Sequence, residues 1–165
     1  MTTTRRFTIA AVAAAVALGG VAAGASGADT NNRRTITVIE PAGEGSETWL
    51  DLGSTDSGPG QDIGDLLVEH KPLIEPNSHE PAGTIVARFQ ISDVIEGNPI
   101  FLADGTVRLE RGDLTFYGTA TFSDFETGAT FAVTGGTADY TRAAGTATFS
   151  ITDVGVLIQL KLTKR

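Results

Sequence analysis

The sequence predicts an all-β fold, an antiparallel eight-stranded β-barrel, and three observations carry that prediction. Helical periodicity is nearly absent after residue 28. Runs rich in Thr, Val, Ile and Phe recur between clusters of Gly, Pro, Asn and Asp, at the spacing of short strands joined by hairpins. Two glycines, Gly118 and Gly145, fall inside such runs. Glycine is costly in a strand unless it marks a bend or a close backbone approach, so the pair favours closure into a barrel over a sandwich of two sheets.

The first 28 residues stand outside this pattern. Met1 to Phe7 is polar and carries Arg5 and Arg6, and Ile9 to Ala23 is almost entirely Ala, Val, Leu and Gly. That run is too short to span a bilayer and is flanked as an export signal is. Ser26 and Ala28 satisfy the small-x-small rule, so cleavage is expected after Ala28, with Ala25 as the alternative. The expected location is secreted or cell-envelope, by the general secretory route or, through the adjacent arginines, a twin-arginine route. Residues 29–165 then form one domain, with no membrane association once the signal is removed.

The whole chain has a net charge of −8. Arg5 and Arg6 are the only charged residues in the leader, so removing it deepens the acidity to −10. That sign repels nucleic acid and anionic lipid and keeps an exported protein soluble. There is no cysteine, hence no disulfide, thiol nucleophile or thiolate metal site. His70 and His79 are the only histidines, both in a polar stretch beside prolines, and read as solvated rather than metal-binding. Asp51, Asp56, Asp62 and Asp65 bracket a Gly-rich loop; their spacing matches no EF-hand and is ordinary turn chemistry, so no metal and no cofactor is expected.

The strands follow in order. Thr35–Glu40 opens the barrel, with Ile36, Val38 and Glu40 on one face. Pro41 to Gly45 is a turn, Thr48–Leu52 a short strand, and Gly53–Asp62 a loop. Gly64–Lys71 is the next strand, followed by the Pro-rich connection Pro72–Pro81. Gly83–Val94 alternates over a long span, Ile85, Ala87, Phe89 and Ile91 facing one way and Arg88 and Gln90 the other, which puts Arg88 outside the barrel. Ile100–Glu110 and Gly112–Ser123 form a hairpin, Ala129–Thr134 and Gly145–Thr152 flank a Gly-Gly connection, and Val156–Thr163 closes the chain. An eight-stranded barrel holds side chains or one small ligand. Ala87, Gly118, Ala120, Ala132 and Ala147 leave room inside, and Phe89 and Phe149 are the neighbours able to fill it.

Glu40 is the candidate catalytic residue, because a carboxyl following two apolar side chains on an inward face is raised in pKa by burial and suited to general acid–base work. Val38, Trp49, Phe89 and Tyr117 are the candidate ligand-lining residues, the amphipathic aromatics being suited to orienting a small molecule.

The segment from Thr134 to Thr146, reading Thr-Gly-Gly-Thr-Ala-Asp-Tyr-Thr-Arg-Ala-Ala-Gly-Thr, resembles the glycine-rich hairpin of plant dirigent proteins and allene oxide cyclases. Tyr140 and Gly145 match that pattern's aromatic and last glycine, and Ala138 replaces its third glycine. Upstream, Val38-Ile39-Glu40, Trp49-Leu50, Gly64-Asp65-Leu66-Leu67 and Lys71-Pro72-Leu73 look like the opening of an allene oxide cyclase. The resemblance implies an eight-stranded barrel, commonly trimeric, with a ligand entering one open end. It also implies a substrate-polarising glutamate at Glu40. The asparagine and cysteine of that site fall at Ala42 and near Phe89, so allene oxide cyclase activity in the strict sense is not expected. Bacterial relatives include barrels that steer cyclisations of polyketide-like intermediates. The expected function is therefore a cofactor-independent cyclase or isomerase for a reactive apolar molecule, oxylipin- or polyketide-like. A non-catalytic dirigent-type template or carrier, and a structural protein with a filled barrel, remain the alternatives.

Overall fold

A computed structural model describes residues 33–52 and 62–164. The expected leader, both cleavage sites and Asp56 lie outside the described residues. Among those residues the chain forms nine strands: β1 (Arg33–Pro41), β2 (Ser46–Leu50), β3 (Leu66–Ile74), β4 (Pro81–Ile95), β5 (Asn98–Leu109), β6 (Gly112–Thr121), β7 (Ala129–Gly136), β8 (Ala143–Thr152) and β9 (Gly155–Lys164). One short helix, α1 (Asp124–Thr127), joins β6 to β7, and a 3₁₀ turn, Ala138–Tyr140, joins β7 to β8. Neither had a signal in the hydrophobic periodicity.

All pairings are antiparallel. β3 to β9 follow one another around the wall, β1 pairs with β9 along its whole length, and the contact of Ile39 with Ile74 closes β1 onto β3. The result is a closed eight-stranded barrel with β2 as a ninth strand. β2 runs along β3 beyond the point where β1 leaves it, pairing Ser46 with His70 through Leu50 with Leu66. The turn between β1 and β2 therefore sits beside residue 72. Pro72 lies between the two pairings, where no strand needs its missing N–H, and β3 continues to Ile74 instead of ending at Lys71 as its sequence suggested.

Alternation sends one side of every strand inward. Val38, Leu73, Ile85, Ile91, Val107, Leu114, Phe131, Phe149, Ile158 and Leu160 are almost fully buried. Large hydrophobic side chains of this kind each contribute about 1.5–3 kcal/mol on leaving water. Phe116, Phe131 and Phe149 contact one another with ring centroids 5.0–5.7 Å apart. These rings occupy the space that small residues leave: a Cβ on Gly105 would come within 2.6 Å of Phe116, and one on Gly118 within 3.1 Å of Phe131. The middle of the barrel is thus a packed aromatic core. Ala132 faces out, contrary to its expected inward position, because β7 buries Ala129, Phe131 and Val133.

The barrel's two ends differ. At the far end the β7–β8 connection folds back so that Tyr140 is buried, with the Arg34 guanidinium 5.4 Å from its ring. A Cβ on Gly136 would meet Tyr140 at 2.7 Å. The aromatic therefore pins the connection to the barrel end, as the hairpin pattern suggested. Ala138 takes φ +48° where that pattern has glycine, a conformation an L-residue adopts at some cost. At the other end, formed by the C-termini of β1, β4, β6 and β8, α1 places Phe125 against Phe89 and Phe131 at 6.0 and 6.1 Å.

Candidate functional site

Glu40 lies at the end of β1, at the α1 end of the barrel, and is 9% exposed. The inward parity of Val38 carries through to it, while its β9 partner is the apolar Val156. Across the seam, the inward face of β3 reads Leu67, Glu69, Lys71, Leu73. Glu69 and Lys71 are 8% and 5% exposed. Glu47, on β2, is directly opposite Glu69 in register and so shares its face. Its carboxylate accepts a hydrogen bond from Lys71 Nζ at 2.5 Å, with about half of the Glu47 side chain in solvent. Three carboxyls and one ammonium thus meet at the seam where β1 hands over to β2, above the aromatic core.

The electrostatics follow from that crowding. Burial pushes the Glu40 carboxyl up to about 7; Lys71 opposes this and Glu47 adds to it. Burial pushes Glu69 up to about 8, helped by the charge of Glu40 and opposed by Lys71. Among the described residues neither Glu40 nor Glu69 makes a hydrogen bond or an ion pair. Among the described residues no enclosed side-chain oxygen lacks a partner, so their carboxyl oxygens retain a little solvent contact. Two carboxyls near neutrality, buried but reachable, are equipped to give and take protons.

Val38 is fully buried two residues before Glu40, and Phe89, in register with Leu67 and so two residues nearer the α1 end than Ala87, the partner of Glu69, packs against Phe125. Trp49 is in register with Leu67 on the face that Glu47 and Glu69 share, 39% exposed at the rim. Tyr117 is not brought to this group. It stands half-exposed on the outer wall between Asp104 and Ala132, because β6 turns Leu114 and Phe116 inward. Arg88 is also outside, donating to Asp104 Oδ1 from Nη2 at 2.7 Å and Nε at 2.9 Å. Sequence reasoning missed Glu47, Glu69 and Lys71. The alternation of Leu67, Glu69, Lys71 and Leu73 held the signal for two of them, but charged residues in a strand read by default as its solvent face. Asp51, Asp62 and Asp65 do come together, their oxygens within 4.8 Å of one another. Asp65 is fully buried there and accepts hydrogen bonds from the N–H groups of Leu52 and Asp62, a role in ordering the turn.

No protein-family model and no curated protein matches the chain. Solved structures do. The chain is similar to a pyocyanin demethylase, with 24% identity, a TM-score of 0.67 and coverage of 79% of this chain and all of that one. It is also similar to AbnU, an exo-specific intermolecular Diels-Alderase, with 16% identity, a TM-score of 0.59 and coverage of 79% and 97%. A pterocarpan synthase dirigent protein matches at 12% identity, with a TM-score of 0.58 and coverage of 81% and 95%. The chain shares its barrel fold with a dirigent protein, as the glycine-rich hairpin led one to expect, and with a Diels-Alderase.

Proposed function

We propose that this barrel is an exported, cofactor-independent cyclase or isomerase that holds a small, largely apolar, reactive molecule in its mouth. The reading rests on one observation: Glu40 and Glu69 are nine-tenths buried, without a hydrogen-bond partner among the described residues, at an end of the barrel that solvent reaches. A buried carboxyl left without a partner costs stability, and a protein retains such a cost where chemistry uses it. The rings of Phe89 and Phe125, on the α1 side of the two carboxyls, supply the apolar surface, and Glu40 the proton transfer. Orientation of a flexible substrate against that surface can offset roughly 7–11 kcal/mol of barrier at most, with proton transfer adding roughly 10²–10⁴-fold. Barrels of this fold among the neighbours include Diels-Alderases, which supports a cyclisation as the reaction.

A second reading, a dirigent-type template or carrier, is favoured by the packed aromatic core, which confines any ligand to the mouth. Native mass spectrometry of protein purified from its own secretome identifies the retained molecule. Turnover of that molecule by wild type and Glu40→Gln then separates the two. A fall of roughly 10²–10⁴-fold supports proton-transfer catalysis. An unchanged rate and product supports the template. The same native spectrum reads the oligomeric state, for which the dirigent resemblance suggests a homotrimer.

A further inference from the structure

We infer that the mouth selects an amphipathic ligand bearing a positive charge, an ammonium or a cationic nitrogen heterocycle, and rejects carboxylates. The inference rests on reading the mouth as a ligand site and assigns the chemical class that site takes.

Four charged side chains face the seam. From β1 there is Glu40, from β2 Glu47, and from β3 Glu69 and Lys71. The inward residues of the adjoining strands, Ile85, Ala87 and Phe89 on β4 and Val156 and Ile158 on β9, carry no charge. The one ammonium is committed to Glu47. Two carboxyls are left without a counter-ion. No other described cation is placed to supply one: Arg88 pairs with Asp104 on the outer wall, Arg111 with Asp139 at the β5–β6 turn, Arg34 lies over Tyr140 at the far end, and Arg33, Arg108, Arg142 and Lys161 are exposed. His70 alternates to the outer face of β3. An anionic ligand would find no cation to pair with and would oppose ionisation of both carboxyls in a buried, low-dielectric site, whereas a cation supplies the missing counter-ion. An inorganic cation fits less well. Among the described residues the carboxylate set close enough to share a metal ion is Asp51, Asp62 and Asp65, not the glutamates of the mouth.

The mouth also has the surfaces for the rest of such a molecule. Phe89 and Phe125 form an apolar wall on the α1 side, and Trp49 stands at the rim in register with Leu67. Aromatic rings beside carboxylates hold cationic groups by their faces as well as by charge. A cation ionises Glu40 and Glu69 as it binds, so binding releases protons and tightens as the pH rises through the range in which the two carboxyls titrate. Both carboxyls are raised by burial, to about 7 and about 8, which sets that range.

Trp49 is the only tryptophan of the chain, so its fluorescence reports on the mouth directly. The test titrates the full-length exported protein with phenylbutylamine, phenylbutanol and phenylbutyrate, three probes of one shape and three charges. The expected order is amine, alcohol, carboxylate, with the amine at least about tenfold tighter than the alcohol. Its affinity should rise about tenfold between about pH 6 and about pH 8, where the amine itself stays protonated. Glu69→Gln should remove most of the preference for the amine. Glu47→Gln, at a half-exposed position, frees Lys71 and should shift the preference toward the carboxylate. Alcohol binding equal to or tighter than the amine, or an amine affinity independent of pH, overturns the inference and leaves the mouth as a ligand site. No fluorescence change with any of the three overturns the ligand-site reading as well.

Discussion

Lys71 on β3 donates to Glu47 on β2 at 2.5 Å, and the two strands meet nowhere else through a charged pair. The contact links a strand that belongs to the barrel with one that does not. Lys71 is 5% exposed, so its ammonium is buried against that partner. Glu47→Gln should therefore destabilise the protein by about 1–3 kcal/mol, less than for a fully buried pair, because Glu47 is half in solvent and Glu40 and Glu69 still face the ammonium. Urea denaturation of wild type and variant measures this. A loss below about 0.5 kcal/mol would show the pair to be an ordinary surface bridge.

Stability should fall as the pH rises. Glu40 and Glu69 have folded-state values of about 7 and about 8 against 4.5 for the free side chain. Between those limits the folded chain binds more protons than the unfolded one, so each step up in pH favours unfolding. The loss begins above about pH 4.5, is complete near pH 8, and amounts to several kcal/mol for the coupled pair. The double variant Glu40→Gln/Glu69→Gln should lack this slope and exceed wild type in melting temperature at pH 8. Parallel melting curves for the two proteins across that range would show that the carboxyls are not held in a desolvated site.

Gly145 lies on β8 opposite Leu162 with φ +151°, and a Cβ there would stand 1.9 Å from the Lys161 carbonyl oxygen. Backbone on both strands would have to move. Gly145→Ala should cost more than 3 kcal/mol or abolish folding. Gly97→Ala, in the β4–β5 turn with φ +78° and open space around it, should cost only about 1–2 kcal/mol. Expression followed by thermal melting distinguishes them; equal effects would mean that Gly145 is not a point of close approach.

These residues also show what was legible in the sequence. Alternation fixed the inward set of β4, Gly145 marked a true backbone approach, and the motif around Tyr140 located the plugged end. Glu40 was legible because two apolar residues precede it with the right parity. Glu69 and Lys71 were not, since a charged pair two residues apart in a strand has the same pattern whether it faces water or a lumen. What turns them inward is the pairing of β3 with β1 at Ile39 and Ile74, a contact 35 residues apart along the chain that no local pattern encodes. Tyr117 was assigned inward on its chemistry, although the parity of Leu114 and Phe116 on its own strand already pointed it out. α1 is too short, at four residues, to leave a periodic signal.

The most direct test of the account is a crystal structure of the protein with the molecule it retains on purification. The account predicts that molecule in the mouth, its polar or charged group within hydrogen-bond distance of Glu40 or Glu69 and its apolar part on the rings of Phe89 and Phe125. A ligand bound on the outer wall near Tyr117, or a mouth filled by the chain's own residues with both carboxyls satisfied by them, would contradict it.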